Sequence, residues 1–265
     1  MDHFHLNSDW RKTASAMYRK PSDSKILGSV EIDITDLNIF LDEQRSAGLK
    51  ITLTHFFLLA TARAVKFDVP QLNSYIKRGN VQTFGPVNVS VSVLQADGSM
   101  SSVKIENAEH LTLKESVIIL NDKISAIRKG SEDKAMKSKS ILAKIPFPFR
   151  NMFFSFFRTV AVYWGIDLSF IGLSPQQFGT FILSNIGTLG LDIGYPALMP
   201  VANVSFVFIM GKVQRKPLVI EEQIVPRTVI TVGAAIDHRV ADASHAGLLF
   251  KTLKYYVKNP QALLK

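Results

Sequence analysis

Residues 26–35 (ILGSVEIDIT) alternate apolar and polar positions, the period-two pattern of a strand with one face in a core. Residues 36–47 switch to helical spacing, with Leu37, Phe40 and Leu41 on one side. The run 52–66 (TLTHFFLLATARAVK) is apolar around most of a helix circumference, which predicts a buried helix that Pro70 ends. Residues 80–83 and 87–94 (VNVSVSVL) read as strands, Asp97-Gly98 as a hairpin turn and 101–106 (SSVKIE) as the return strand. Helical spacing returns over 113–129, through Val117, Leu120, Ile124 and Ile127. Three β-type runs follow, at 180–184, 204–213 and 228–235, and an amphipathic helix over 244–258 carries Leu248, Leu249, Leu253 and Val257 on its apolar side. Near the start, 9–19 (DWRKTASAMYR) predicts a helix with Asp9 at its N-cap, stopped before Pro21. Nothing repeats, and strands and helices do not alternate as regular βαβ units. The fold class is therefore α+β.

The segment 134–175 breaks this rhythm. It is loaded with Phe and Trp but interrupted by Arg150, Arg158 and Asp167, and no uncharged run reaches the roughly 18 residues expected of a spanning helix. Drawn as a helix from Phe149, it has a narrow polar stripe of Asn151, Ser155, Arg158 and Thr159. The rest of its circumference must be buried. It either covers the core or a neighbouring subunit, or it meets a membrane surface or an acyl chain. In the second case the contacts are Phe149, Phe153, Phe154, Phe157 and Trp164. We read a single domain over 1–265 with 134–175 as an aromatic, basic-flanked insertion.

Composition narrows the chemistry. The 265 residues are 47% hydrophobic and 20% charged, ordinary for a chain with a sizeable core. With no cysteine, disulfides, thiolate metal ligands and a cysteine nucleophile are excluded. The formal net charge of +9 favours anionic partners. The basic residues are scattered, however, and no helix-turn-helix, RNA-binding or zinc-finger signature is present, so nucleic acid is not an expected partner. Part of the excess has an address: six basic residues and no acidic one lie between Lys134 and Arg158. The polar N-terminal stretch MDHFHLNSDWRK does not read as a signal peptide, and the expected location is cytoplasmic, with a peripheral place on the inner face of the membrane as the alternative.

The candidate chemistry lies in TVGAAIDHRVADASHAG, residues 231–247, where a smooth β-type run meets Asp237, His238, Arg239 and Asp242. His238 falls on a strand-to-helix turn, where rigid elements on both sides can hold a reactive group. As a bare pattern, a histidine with an aspartate four positions on is weak; it is either a reactive pair or a satisfied structural one. His55, in the buried helix, reads as a satisfied core histidine, and His245 as an outward residue of the last helix.

The stretch FILSNIGTLG (181–190), about 50 residues upstream, joins AIDHRVADA and the closing LLFKTLKYYVKNPQALL. With VEIDIT, LTHFFLLATARAV and VPQLNS, these pieces occur in an order that resembles the acyltransferase catalytic domain of the 2-oxoacid dehydrogenase complexes, within the superfamily of chloramphenicol acetyltransferase. The resemblance implies a mixed β-sheet sandwiched with helices, in a homotrimer whose trimers join into a larger cage. It implies His238 as general base and Ser184 as oxyanion donor, contributed by neighbouring chains. Asp242 would shape the loop through an ion pair to Arg11 or Arg239, with Asp237 structural and Asn185 supporting the Ser184 turn. Read alone, Ser184 is equally a strand-end serine capping a turn.

No permanently bound cofactor is implied; acyl-CoA or a lipoyl-type thioester is the co-substrate, and the acceptor is not specified. Two departures bear on the activity. Ala243 stands where the family carries glycine, and SMSSVKIE replaces a more hydrophobic stretch that walls the substrate channel. No lipoyl module or Ala/Pro linker is recognisable, so a stand-alone catalytic domain is expected. The rival reading is a catalytically lapsed scaffold of the same fold.

Overall fold

The computed structural model describes residues 24–95, 100–129, 146, 148–166, 168–171 and 174–264. The expected opening helix with Arg11, and the Asp97-Gly98 turn, lie outside them. Strand β1 (Lys25–Asp33) is followed by helices α1 (Thr35–Ser46) and α2 (Leu53–Arg63). Strands β2 (Ser74–Lys77) and β3 (Asn80–Thr83) form a small hairpin, and β4 (Val89–Leu94) and β5 (Met100–Ile105) a second one. Helices α3 (Leu113–Arg128) and α4 (Phe149–Phe157), strands β6 (Phe181–Asn185), β7 (Phe206–Ile220) and β8 (Gln223–Asp237), and helix α5 (Ala243–Lys258) complete the order.

Among the described residues, six strands make one sheet in the order β1-β8-β7-β6-β4-β5. The pairs β4–β6 and β6–β7 are parallel and the rest antiparallel, so the sheet is mixed and the α+β reading holds. One face packs on the helices. There α2 buries residues 55–62 together, as its all-round apolar pattern predicts, with Phe57 and Phe208 rings 6.0 Å apart. The other face carries a smaller cluster of Val207, Ile209 and Ala235 beneath Leu198, Ala202 and Val204.

Two expectations fell short. The runs at 204–213 and 228–235 are the inner parts of two 15-residue strands that continue to a tight turn at Glu221 and Glu222, both with positive φ. Polar and proline residues in the outer half hid this length, because it is stabilised by cross-strand pairing rather than by a buried face. Strand β2 (SYIK) was missed as well; at four residues it is too short for a periodic signal.

His55 is buried but only half satisfied. Its Nδ1 accepts the N–H of Thr52 at 3.1 Å and bonds the Thr52 hydroxyl at 2.8 Å, closing a capping box at the start of α2, while Nε2 has no hydrogen-bond partner. Burial pulls its pKa down to about 4 from 6.5, against a smaller opposing influence of Asn121. The folded chain therefore keeps His55 neutral where the unfolded chain takes up a proton, and stability falls as pH drops from 6.5 towards 4. We expect urea unfolding at pH 7 and pH 4.5 to show about 2–3 kcal/mol more acid loss in the native chain than in His55→Gln.

Candidate functional site

Strand β8 is hydrogen-bonded on both sides as far as its last residue. Asp237 pairs with Lys25 of β1, and Ile236 with Phe206 of β7. The pairing ends in two further backbone bonds, Asp237 N–H to Ser205 O (2.9 Å) and His238 N–H to Ser24 O (2.7 Å). The chain then turns. The N–H groups of Val240 and Ala241 both donate to the Asp237 carbonyl, and α5 begins at Ala243 with Asp242 as its N-cap.

Asp237 and Arg239 flank His238 and are both buried. The guanidinium donates to the carboxylate from Nε (2.9 and 3.2 Å) and Nη2 (2.6 Å), and the Arg239 N–H adds a bond to Oδ1 at 3.1 Å. This fork-on-carboxylate geometry satisfies two charges that would otherwise be costly to bury. Of the two partners expected for Asp242, this removes Arg239, whose fork is engaged by Asp237; Arg11 lies outside the described residues.

Asp242 acts on its own helix end and on two histidines. Its side chain accepts the N–H of His245, and its own N–H donates to His245 Nδ1 at 2.9 Å, a reciprocal cap. His245 is therefore half-buried against the loop and does not face outward as its helix position suggested. The Oδ1 atom of Asp242 lies 3.4 Å from His238 Nδ1. Ala243 takes the first helical position of α5, where no left-handed backbone is asked of it and alanine is the best helix former.

His238 itself is half-buried, its side chain 27% exposed. Its Nδ1 is 3.0 Å from the carbonyl oxygen of Ala241. A carbonyl only accepts, so Nδ1 carries the hydrogen and Nε2 the lone pair.

Ser184 sits half-buried near the end of β6. Asn185 beside it donates from Nδ2 to the Thr54 hydroxyl of α2 (3.3 Å), and its carbonyl accepts from the Thr188 hydroxyl (3.0 Å), which ties the turn to the body. Within one chain Ser184 and His238 do not meet. Ser184 is in register with Ile209, and Ile209 with Gly233. His238 is further along β8 and across two strand spacings, roughly 15–20 Å away by strand geometry. A cleft of about 280 Å³, lined by residues including Tyr75, Lys77, Ile166 and Asn203, contains neither residue.

The aromatic residues named for lipid or acyl contact divide. Phe149 and Trp164 are exposed, and Phe153 and Phe154 are half-buried with their rings 5.7 Å apart. Phe157 is buried on the body and unavailable as a contact, because α4 continues into a π-helical turn (Arg158–Tyr163) that packs Val160, Ala161 and Val162 inward. Met152, Phe156 and Phe170 are exposed and were missed; helical spacing from Phe149 would have found the first two.

The fold is that of the acetyltransferase cores. The crystal structure of dihydrolipoamide acetyltransferase from Azotobacter vinelandii superposes with a TM-score of 0.68 at 18% identity, covering 91% of this chain and 84% of that one. Chloramphenicol acetyltransferase gives 0.53 at 14% identity, covering 96% and 98%. The family of 2-oxoacid dehydrogenases acyltransferase (catalytic domain) matches residues 7–139 and 172–265, and the chain belongs to it. Among curated relatives, the dihydrolipoyllysine-residue acetyltransferase component of the pyruvate dehydrogenase complex of Mycoplasma capricolum is 21% identical over 269 residues, covering 99% of this chain and 52% of the relative. The chain spans about half the length, or less, of the first curated relatives it matches. The family match passes over 140–171, inside the segment read as an insertion.

The buried pair beside His238 makes a quantitative prediction. Asp237→Ala leaves the Arg239 guanidinium buried and unpaired and should cost about 3–5 kcal/mol of stability. Asp237→Leu combined with Arg239→Met should cost clearly less, as read by denaturant unfolding of the three chains.

Proposed function

We propose that the chain is an acyltransferase. It takes an acyl group from a thioester of coenzyme A, or of a lipoyl-type arm, to an acceptor thiol or hydroxyl, at sites shared between neighbouring chains of a homotrimer. The observation that carries this reading is the hydrogen bond from His238 Nδ1 to the Ala241 carbonyl, which fixes the tautomer with a basic Nε2. Nε2 removes the acceptor's proton as the acceptor sulfur or oxygen attacks the thioester carbonyl. The tetrahedral oxyanion accepts a hydrogen bond from the Ser184 hydroxyl of a second chain. Collapse expels the donor thiolate, which takes the proton back from the imidazolium; the products are the acylated acceptor and the free donor thiol.

Family membership supports the reaction class, and so does the likeness to relatives named as acyl-transferring components. The Azotobacter vinelandii protein is described by the roles of a serine, a histidine and an asparagine in its catalytic mechanism. Here Ser184, His238 and Asp242 are the corresponding types, with aspartate in place of asparagine. The same-chain separation of Ser184 and His238 supports a shared site, because an oxyanion donor must lie within about 3 Å of the reacting oxygen. The lapsed-scaffold reading drew on Ala243, which fits its helical position without strain, and on the altered channel-wall stretch SMSSVKIE.

The test is release of free thiol from a panel of acyl-CoAs with dihydrolipoamide as acceptor. His238→Ala should lower turnover by roughly 10²–10⁴ and Ser184→Ala by roughly 10²–10³. Both should leave the oligomer intact on size-exclusion chromatography. Mixing the two inactive variants before reassembly should restore activity, since about a quarter of the interfaces in a random trimer pair an intact His238 with an intact Ser184. Full turnover in His238→Ala would overturn the mechanism, and no rescue on mixing would overturn the shared site.

A further inference from the structure

We propose that the insertion provides a docking face for an anionic phospholipid bilayer, with α4 lying in the plane of the interface. Its exposed stripe is Phe149, Met152 and Phe156, at spacings of three and four residues, 60%, 61% and 63% exposed. Exposed Trp164 follows at the end of the π-helical turn, and Phe170, 83% exposed, lies just beyond. Trp and Phe with Met are the side chains that enter the boundary between headgroups and acyl chains.

Three observations select a membrane over other occupants. The first is charge. From residue 134 to residue 166 the chain holds Lys134, Lys137, Lys139, Lys144, Arg150 and Arg158, and no acidic side chain. The first four lie outside the described residues and enter through the sequence alone. A cationic, aromatic segment suits a negatively charged lipid surface, and a second copy of it would repel this one. The second is position. The family match ends at 139 and resumes at 172, so this face belongs to the part of the chain that the shared fold does not need. The third is shape. Phe149, Met152 and Phe156 are exposed on one side of α4 while Phe157 is buried on another, the amphipathic pattern of an in-plane helix.

The face is also held firmly on the body. Phe157, Val160, Ala161 and Val162 are buried beneath it, and Arg78 of the β2–β3 turn donates its N–H to Tyr163 O (3.2 Å) and its Nε to Trp164 O (2.7 Å). Arg78 is exposed and so adds a cation beside Trp164, where headgroup phosphates would lie.

The experiment is flotation of the full chain with phosphatidylcholine vesicles, with and without about a third phosphatidylglycerol, at low and high salt. We expect at least roughly tenfold more bound protein on the anionic vesicles at low salt, most of it released by high salt. Phe149→Ser with Met152→Ser and Phe156→Ser should lose that binding while keeping the native circular dichroism and elution volume. Lys137→Gln with Lys139→Gln and Lys144→Gln should reduce it several-fold at unchanged fold. Equal binding to neutral vesicles, or flotation of the serine variant like the native chain, would overturn the proposal. So would a smaller oligomer in the serine variant, which would make the stripe a contact between copies. Acyl transfer to soluble substrates is read separately, so failure here leaves the catalytic reading intact.

Discussion

The double-sided pairing of β8 is the constraint on which the candidate site depends. Over residues 229–237 this strand is in register with β1 on one side, and over most of that length with β7 on the other. A strand bonded on both edges cannot slip by one residue without reversing every side chain, so the exit point of the chain is fixed. The exit is then locked again by the Asp237–Arg239 fork, which holds the residues on each side of His238 in the interior. The His238 imidazole is left half-exposed at that corner, with its tautomer set by Ala241 and Asp242 Oδ1 close to its Nδ1. A side chain placed this way needs little reorganisation before it acts in the proposed reaction.

The same sheet bears on the proposed shared site. Among the described residues its helical face is filled, while its other face is covered only in part by the stretch around 191–204. That stretch crosses so closely that a Cβ on Gly211 would collide with the Asp192 carbonyl, so glycine is needed there. Around it Leu27, Leu189, Leu191 and Tyr195 remain exposed. An apolar rim beside a strand bearing Ser184 suits contact with a second copy, and the distance from Ser184 to His238 in one chain makes that contact chemically necessary for the proposed reaction.

What the sequence disclosed follows the strength of the physical signal. The buried helix over 53–63 and the strand–turn–helix around His238 were legible, because their burial is written in runs longer than a turn. The outer halves of β7 and β8 were not, since exposed strands carry no hydrophobic alternation and are set by their partners. At the site, residue types were readable but pairings were not. Asp242 has one arginine and two histidines within a few positions, and only the fold shows that Arg239 turns to Asp237 while His238 and His245 turn to Asp242. Position on a helical wheel misplaced His245 for the same reason: capping overrides the face that spacing assigns.

The described part of the aromatic segment is tied to the body at the β2–β3 turn. Arg78 and Gly79 turn the β2–β3 hairpin, and Arg78 has a φ of 50°, a left-handed conformation that costs a side-chain-bearing residue on the order of 1 kcal/mol. Such turns prefer asparagine or glycine, so an arginine there is explained by what it does. Its backbone and its guanidinium both bond the last carbonyls of the π-helical turn, at Tyr163 and Trp164. Those carbonyls end a helix and would otherwise be unpartnered. A segment that only filled a gap in the core would bury its own stripe. This one is instead anchored at its inner end by Phe157 and the Arg78 bonds while Phe149, Met152 and Phe156 are exposed. A face preformed in this way would lose little conformational freedom on meeting the proposed surface.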